Sequence, residues 1–231
     1  MKSFVKAFKD TLKSPEDGIE SLRTEAFEEF SKTGVPNNRH EYWKFSDPSI
    51  ILNLDLKLNN SLDNIDEDYD LILCNGKISK NKTKGRTGSI SEGIKKGDIS
   101  EKVLEINENP FINLNSAFAI NGCYINLERN STNNLKILNL ITNNEEIEQA
   151  VYPKLVIVAE ENSNTTILEE FRISGKGTNF VNSAMNVLMA QGANLEHIIL
   201  DDYADDTYHI ANIGVEQKKD SNYVSHNFSI G

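Results

Sequence analysis

Few side chains in this 231-residue chain could carry chemistry, and their spacing decides which chemistry is open to them. His197, His209 and His226 fall among short apolar runs, and stacked on one face they would form a metal-binding or proton-relay row. The alternative is three separate imidazoles, each satisfied locally or by water. Asp201, Asp202, Asp205 and Asp206 could hold a hard cation, but the glycine and terminal glutamate of a calcium loop are missing, so they also read as a solvated turn. Cys74 and Cys123 lack C-x-x-C spacing and read as small buried hydrophobes rather than cluster ligands. Gly175-Lys176-Gly177-Thr178 lacks the upstream glycine of a nucleotide-binding loop. No catalytic, cofactor-binding or metal-binding set follows from these residues.

The bulk composition narrows the partners. A formal net charge of −11 opposes a nucleic-acid surface, which needs clustered lysine and arginine. Two cysteines give no disulfide framework and fit a reducing compartment. No run approaches the roughly 18 apolar residues of a membrane span, and acidic residues interrupt the lysine-bearing N-terminus. The expected setting is cytoplasmic, with neither nucleic acid nor membrane as partner.

The elements that must position such residues fall into two regions, 1–109 and 110–231. In the first, Ser14-Pro15-Glu16-Asp17 reads as a helix start, and Ile19, Leu22, Ala26, Phe27 and Phe30 make one apolar stripe over about five turns. Residues 61–70 read as an acidic loop. Leu71–Cys74 followed by Asn75-Gly76 reads as a short strand entering a turn, and Lys77–Gly88 as a mobile excursion. In the second region, strand–polar turn–small residue–Asn–strand recurs three times, with Ser163, Ala193 and Ser221 as the small residues. Repeats of short strands at this spacing predict a mainly β chain wound as a parallel β-helix, or β-solenoid, with a β-sandwich as the rival.

The most distinctive stretch follows the helix. Gly34 suits a left-handed helix end, Pro36 blocks resumption, and Arg39, Glu41, Trp43, Lys44 and Phe45 make a segment anchored by rings and oriented by ion pairs. Trp43 is expected to pack between the helix and the downstream region, with Arg39 and Glu41 fixing its approach. This stretch resembles a signature of the SufD branch of the SufB/SufD family of iron–sulfur cluster assembly scaffolds. The segment Phe111–Gly122, with Asn115, Phe118 and Gly122, is similar to the entry of that family's core, and Pro153–Val158, Ile167–Phe171 and Asp220–Ser225 resemble its coils.

The resemblance implies a right-handed parallel β-helix preceded by an N-terminal helical, α+β region. It implies a non-catalytic scaffold subunit of a SufBCD complex, partnered by a SufB-like β-helix protein and a SufC-like ATPase that hydrolyses the nucleotide. An iron–sulfur cluster, and a flavin, would belong to the complete complex, so no cofactor is expected on these residues alone. The motif residues Gly34, Pro36, Arg39, Glu41, Trp43, Lys44, Asn115, Phe118 and Gly122 are expected to be structural. Because the sequence stops at Gly231 within a strand, it reads as an N-terminal fragment, and the family's C-terminal interface and cluster-assembly residues have no counterpart here. The competing function is a solenoid enzyme acting on acidic polysaccharide through Asp201–Asp206 and Arg172, or an orphan binding module.

Overall fold

Short apolar runs separated by polar corners can bury their inward faces only by stacking on one another. The computed structural model of the chain shows that arrangement, a β-solenoid of about four coils behind a few N-terminal helices. It describes residues 2–12, 18–63, 65–83, 86–119, 122–203 and 206–230. The expected helix start at Ser14–Asp17, together with Ile120, Asn121, Asp205 and Gly231, lies outside the described residues.

The N-terminal part contains α1 (Lys2–Thr11), α2 (Glu20–Thr33), β1 (Lys57–Leu58), β2 (Leu71–Cys74), β3 (Lys77–Asn81), β4 (Arg86–Ser89), α3 (Ile90–Lys96) and α4 (Pro110–Phe118). α2 ends where Gly34 takes φ +71° and returns its N–H to the Phe30 carbonyl. α4 begins at Asn109, whose side chain accepts from the Phe111 N–H, with Pro110 in the first turn. The apolar stripe buries as expected: Ala26, Phe27 and Phe30 join Phe4, Phe8, Phe111, Phe118, Tyr152 and Phe180 in one aromatic cluster. Arg23 crosses this seam fully buried, its Nε donating to the Ala117 carbonyl at 3.0 Å and its Nη2 to Thr11 at 2.8 Å.

One expectation for this region is corrected. Lys77–Gly88 is no free excursion, because most of it forms strands. β3 pairs antiparallel with β2 across the two-residue Asn75-Gly76 turn, whose positive φ angles suit a tight hairpin. β4 pairs antiparallel with β5 (Cys123–Leu127). Lysine-rich edge strands pass for loops in a sequence because their side chains belong in water while their backbones complete a ladder.

The coils continue through β6 (Thr132–Asn143), β7 (Gln149–Val151), β8 (Lys154–Ala159), β9 (Asn164–Gly175), β10 (Asn179–Met189), β11 (Asn194–Asp202), β12 (Thr207–Gln217) and β13 (Asn222–Ile230). Parallel pairing runs β6–β9–β11–β13 on one sheet, and β5–β8–β10–β12 on the other. The sandwich reading is thereby excluded, since its pairs would be antiparallel. The recurring corner has four copies rather than three: Ser131 joins Ser163, Ala193 and Ser221. The residue before each is left-handed, Asn130, Asn162, Gly192 and Asp220 at φ +56°, +56°, +72° and +60°. Corner N–H groups bond the next coil's carbonyls, Asn130 to Glu161, Asn162 to Gln191 and Gly192 to Lys219.

The opposite turn is variable. Leu140 pairs with Arg172 and Arg172 with Asp202, while Gln149 pairs with Asn179 and Asn179 with Thr207. The path from one sheet to the other therefore spans nine, seven and five residue steps in successive coils (140 to 149, 172 to 179, 202 to 207).

α4 lies on the outer face of the β8–β10 sheet. There Asn115 donates from Nδ2 to the Pro153 and Asn182 carbonyls at 2.9 and 2.7 Å, and Asn182 answers to the Phe111 carbonyl at 2.9 Å. Lys154 is sealed in this seam at 1% exposure, its Nζ 3.4 Å from the Ser116 hydroxyl. Burial lowers its pKa from 10.5 to about 8.

Candidate functional site

Alternation along a strand decides which polar side chains enter the lumen. In β9, β11 and β13 it turns Glu169, His197, Asp201, Tyr223 and Asn227 inward, and in β10 and β12 it turns Ser183 and His209 inward. A polar band results, bounded by two apolar clusters, one around Ile137, Ile157 and Val187 and one around Ile141, Val151 and Val181.

Two hydrogen-bonded lines cross this band. In the first, Glu169 accepts from Asn139 Nδ2 at 2.7 Å and from His197 Nε2 at 2.9 Å, and His197 Nδ1 meets the Tyr223 hydroxyl at 3.0 Å. Burial raises the pKa of the Tyr223 hydroxyl that closes this line. Each partner sits two positions along the neighbouring strand, so the line runs diagonally over β13, β11, β9 and β6. Glu169 and His197 are essentially inaccessible to water, and their complete bonding offsets the desolvation of a buried carboxylate.

In the second line, His209 Nε2 lies 2.7 Å from Ser183 Oγ, its Nδ1 bonds the Tyr203 hydroxyl, and that hydroxyl donates to Asp201 Oδ1 at 3.2 Å. Burial lowers the His209 pKa from 6.5 to about 4, so the ring is neutral near pH 7. Burial raises Asp201, with the Tyr203 hydrogen bond opposing and Glu169 adding to the rise. Tyr203 is raised by burial first and the Asp201 charge second. A cavity of about 300 Å³ adjoins both lines, lined by Asn139, Glu169, Asp201, Ser183 and His209, with apolar walls from Leu155, Phe171, Met185 and Ile213.

Of the two readings of the histidines, the structure gives the separate imidazoles, and the stacked row does not form. His197 follows its corner residue by four positions and His226 by five, so alternation sends them to opposite faces. His226 is outside, 3.5 Å from Glu196, and His209 enters from the other sheet. Asp201 is the inward member of the acidic run, while Asp202 is exposed. Among the described residues no group of three or more His, Cys, Asp or Glu is placed to hold a metal. Cys74 and Cys123 are buried on different sheets, and burial pushes Cys123 up to about 12. Gly175 and Gly177 hold a tight turn, where a Cβ at Gly175 would stand 2.3 Å from the Asn143 carbonyl oxygen.

The motif residues are placed as follows. Pro36 is buried, and Trp43 lies half-buried with its ring edge-on to Phe111 at 5.3 Å. Arg39, Glu41 and Lys44 are exposed. The approach of Trp43 is fixed instead by the turn Asn37–His40, where Asn37 Oδ1 accepts from the Arg39 N–H and the Asn37 carbonyl from the His40 N–H. The ion pairing expected of Arg39 and Glu41 does not occur among the described contacts; Lys44 instead lies 5.5 Å from the Phe45 ring centre. Phe118 stacks on Tyr152 at 4.3 Å, and Gly122 leaves room for Ile90, whose Cδ1 would sit 2.4 Å from a Cβ there. The sequence reading missed Ser183, Glu169, Tyr203 and Tyr223. For Ser183, Glu169 and Tyr223 the only sequence signal is a polar residue at an inward parity of an apolar strand, and that parity requires the register; Tyr203 follows the end of β11 and carries no such signal.

Residues 139–231 match the family model for the SUF system FeS cluster assembly SufBD core domain. The match supports the SufB/SufD family and a part in iron–sulfur cluster assembly by the SUF system, without separating its two branches. No curated protein matches the chain. Among the described residues, no helix is long and apolar enough to cross a membrane.

Proposed function

We propose that the chain is a non-catalytic scaffold subunit of a SufBCD assembly in iron–sulfur cluster formation, and that it is the SufD member. The observation that carries the assembly role is the family match, which begins within β6 and extends over the later coils to residue 231. The SufD assignment leans on the segment Gly34–Phe45, and rests on its resemblance alone. In this reading residues 1–109 form the helical region, and residues 110–231 the solenoid core. The partners are a SufB-like β-helix protein and a SufC-like ATPase, which supplies nucleotide hydrolysis. The complex works in the cytoplasm, with the iron–sulfur cluster as cargo and any flavin held by the complete assembly.

Co-expression with SufB and SufC homologues, followed by sizing of the purified complex, tests the proposal. A complex containing all three chains is the expected result. Failure to associate with either partner would remove the scaffold role.

A further inference from the structure

The run Leu54-Asp55-Leu56-Lys57-Leu58 is its own complement when reversed. About Leu56, leucine falls opposite leucine and Asp55 opposite Lys57. The run contains β1, the terminal strand of its sheet, which pairs on one side only, with β7. The Asp55 N–H goes to the Glu148 carboxylate, the Lys57 N–H to the Glu148 carbonyl and the Asn59 N–H to the Ala150 carbonyl, all on the β7 side. Successive backbone groups of an extended chain point to opposite sides, so those of Leu56 and Leu58 face away from β7. Among the described residues no strand pairs with them there. β7 and β12 flank β10 on opposite sides, so this edge is remote from the last coils.

An open groove of about 400 Å³ separates the edge from α1, whose Ser3, Lys6 and Ala7 form its far wall. Leu56 is buried and Leu54 and Leu58 half-buried, while Asp55 and Lys57 are exposed. A lysine on an edge strand ordinarily deters pairing. Opposite an aspartate it becomes a favourable cross-strand partner instead.

We propose that this edge pairs antiparallel with the same edge of a second copy, about a two-fold axis through Leu56. Leu56 and the partner's Leu56 then exchange both N–H···O bonds, and the Leu58 N–H reaches the partner's Leu54 carbonyl. Asp55 stands opposite the partner's Lys57, and Lys57 opposite the partner's Asp55, the reciprocity that an isologous contact requires. The leucines of both copies share the face toward α1, and the two α1 helices flank the seam. A strand of other sequence leaves Asp55 or Lys57 without its partner, so the pairing selects this chain. The contact stands apart from the scaffold role, and either can fail without the other.

The test is sedimentation equilibrium of the 231-residue chain across a concentration series, with Asp55→Lys, Lys57→Asp and the double swap. Wild type should associate to twice its mass of 25.9 kDa. Either single swap sets like residues opposite each other at both symmetry-related positions and should weaken association about tenfold or more. The double swap restores both pairings and should return association to within about threefold of wild type. Oxidised Asp55→Cys/Lys57→Cys should give a reducible dimer linked from 55 to 57, since these positions form a non-hydrogen-bonded pair, where side chains are closest. Circular dichroism confirms that each variant is folded. Wild type that stays monomeric, a dimer indifferent to the single swaps, a double swap no better than the singles, or a disulfide in another register overturns the proposal.

Discussion

Replacing Lys154 by methionine should stabilise the protein at neutral pH, and the gain should vanish in alkali. The folded pKa is about 8 against 10.5 for the free side chain. At about 1.4 kcal/mol per unit, holding the ammonium in the α4 seam costs about 3 kcal/mol at pH 7. Its polar contact with Ser116 is long, at 3.4 Å, and returns little. Methionine has similar volume and no charge, so Lys154→Met should be more stable than wild type by about 2–3 kcal/mol at pH 7. Between pH 8 and 10.5 the unfolded chain binds the proton that the folded chain has released, so this site's contribution to stability rises with pH and the gap closes. The wild-type curve alone would mislead. Cys123 is pushed to about 12 and Tyr152 is also raised by burial, so above pH 9 the folded chain keeps protons that the unfolded chain loses, and those sites lower stability. Both proteins carry them, and the difference isolates Lys154. Urea unfolding of the pair at pH 7, 8.5 and 10 measures it. A gap that does not change with pH, or a variant less stable than wild type at pH 7, would refute the argument.

Acid should act through His209 in the opposite range. Its folded pKa is depressed to about 4, so its contribution is complete above pH 6.5 and falls away as pH drops toward 4, by about 3 kcal/mol; unfolding of wild type against His209→Gln over that range checks it. Gly175→Ala should destabilise by more than about 2 kcal/mol, because φ is +104° and the new Cβ would meet backbone at 2.3 Å. Gly192→Asn should cost less, about 1 kcal/mol, since Asn130 and Asn162 already hold the same left-handed corner position and the atom a Cβ would meet, Asn162 Oδ1 at 2.4 Å, is a side-chain end that can turn aside; thermal melts distinguish the two glycines. Trp43→Ala should cost about 2 kcal/mol through its lost contact with Phe111, and an unchanged melting temperature would move the Gly34–Phe45 segment from packing to partner contact.

The corners were legible in the sequence because their signal is local. A small residue followed by a polar one marks the end of a tight turn whatever surrounds it, and the fourth copy escaped notice because Thr132 stands where Asn164, Asn194 and Asn222 stand. The helix stripe was legible for the same reason. The lumen site was not, because Ser183 and His209 are 26 residues apart and meet through the pairing of β10 with β12. Nor does composition reveal that Glu169 faces inward and Glu170 outward, where Glu170 bonds Arg172 at 2.6 Å. One step of register exchanges those roles. The motif marks Asn115 as a residue of interest, but its task, joining the Pro153 and Asn182 carbonyls on adjacent coils, needs α4 docked on the sheet.

The turn that shortens from nine to seven to five steps changes by two residues each time. An even change leaves every following side chain on its original face, whereas an odd one would turn Ser183 or His209 out of the lumen and drive its neighbours in. Insertion and deletion at this edge are thus governed by parity more than by length. A two-residue deletion within 144–148 should leave the downstream coils in place, and a one-residue deletion there should disorder them despite removing less. The corner geometry repeated at Asn130, Asn162, Gly192 and Asp220 offers no such freedom, so peptide tags and grafted loops belong on the variable edge, in even-numbered increments.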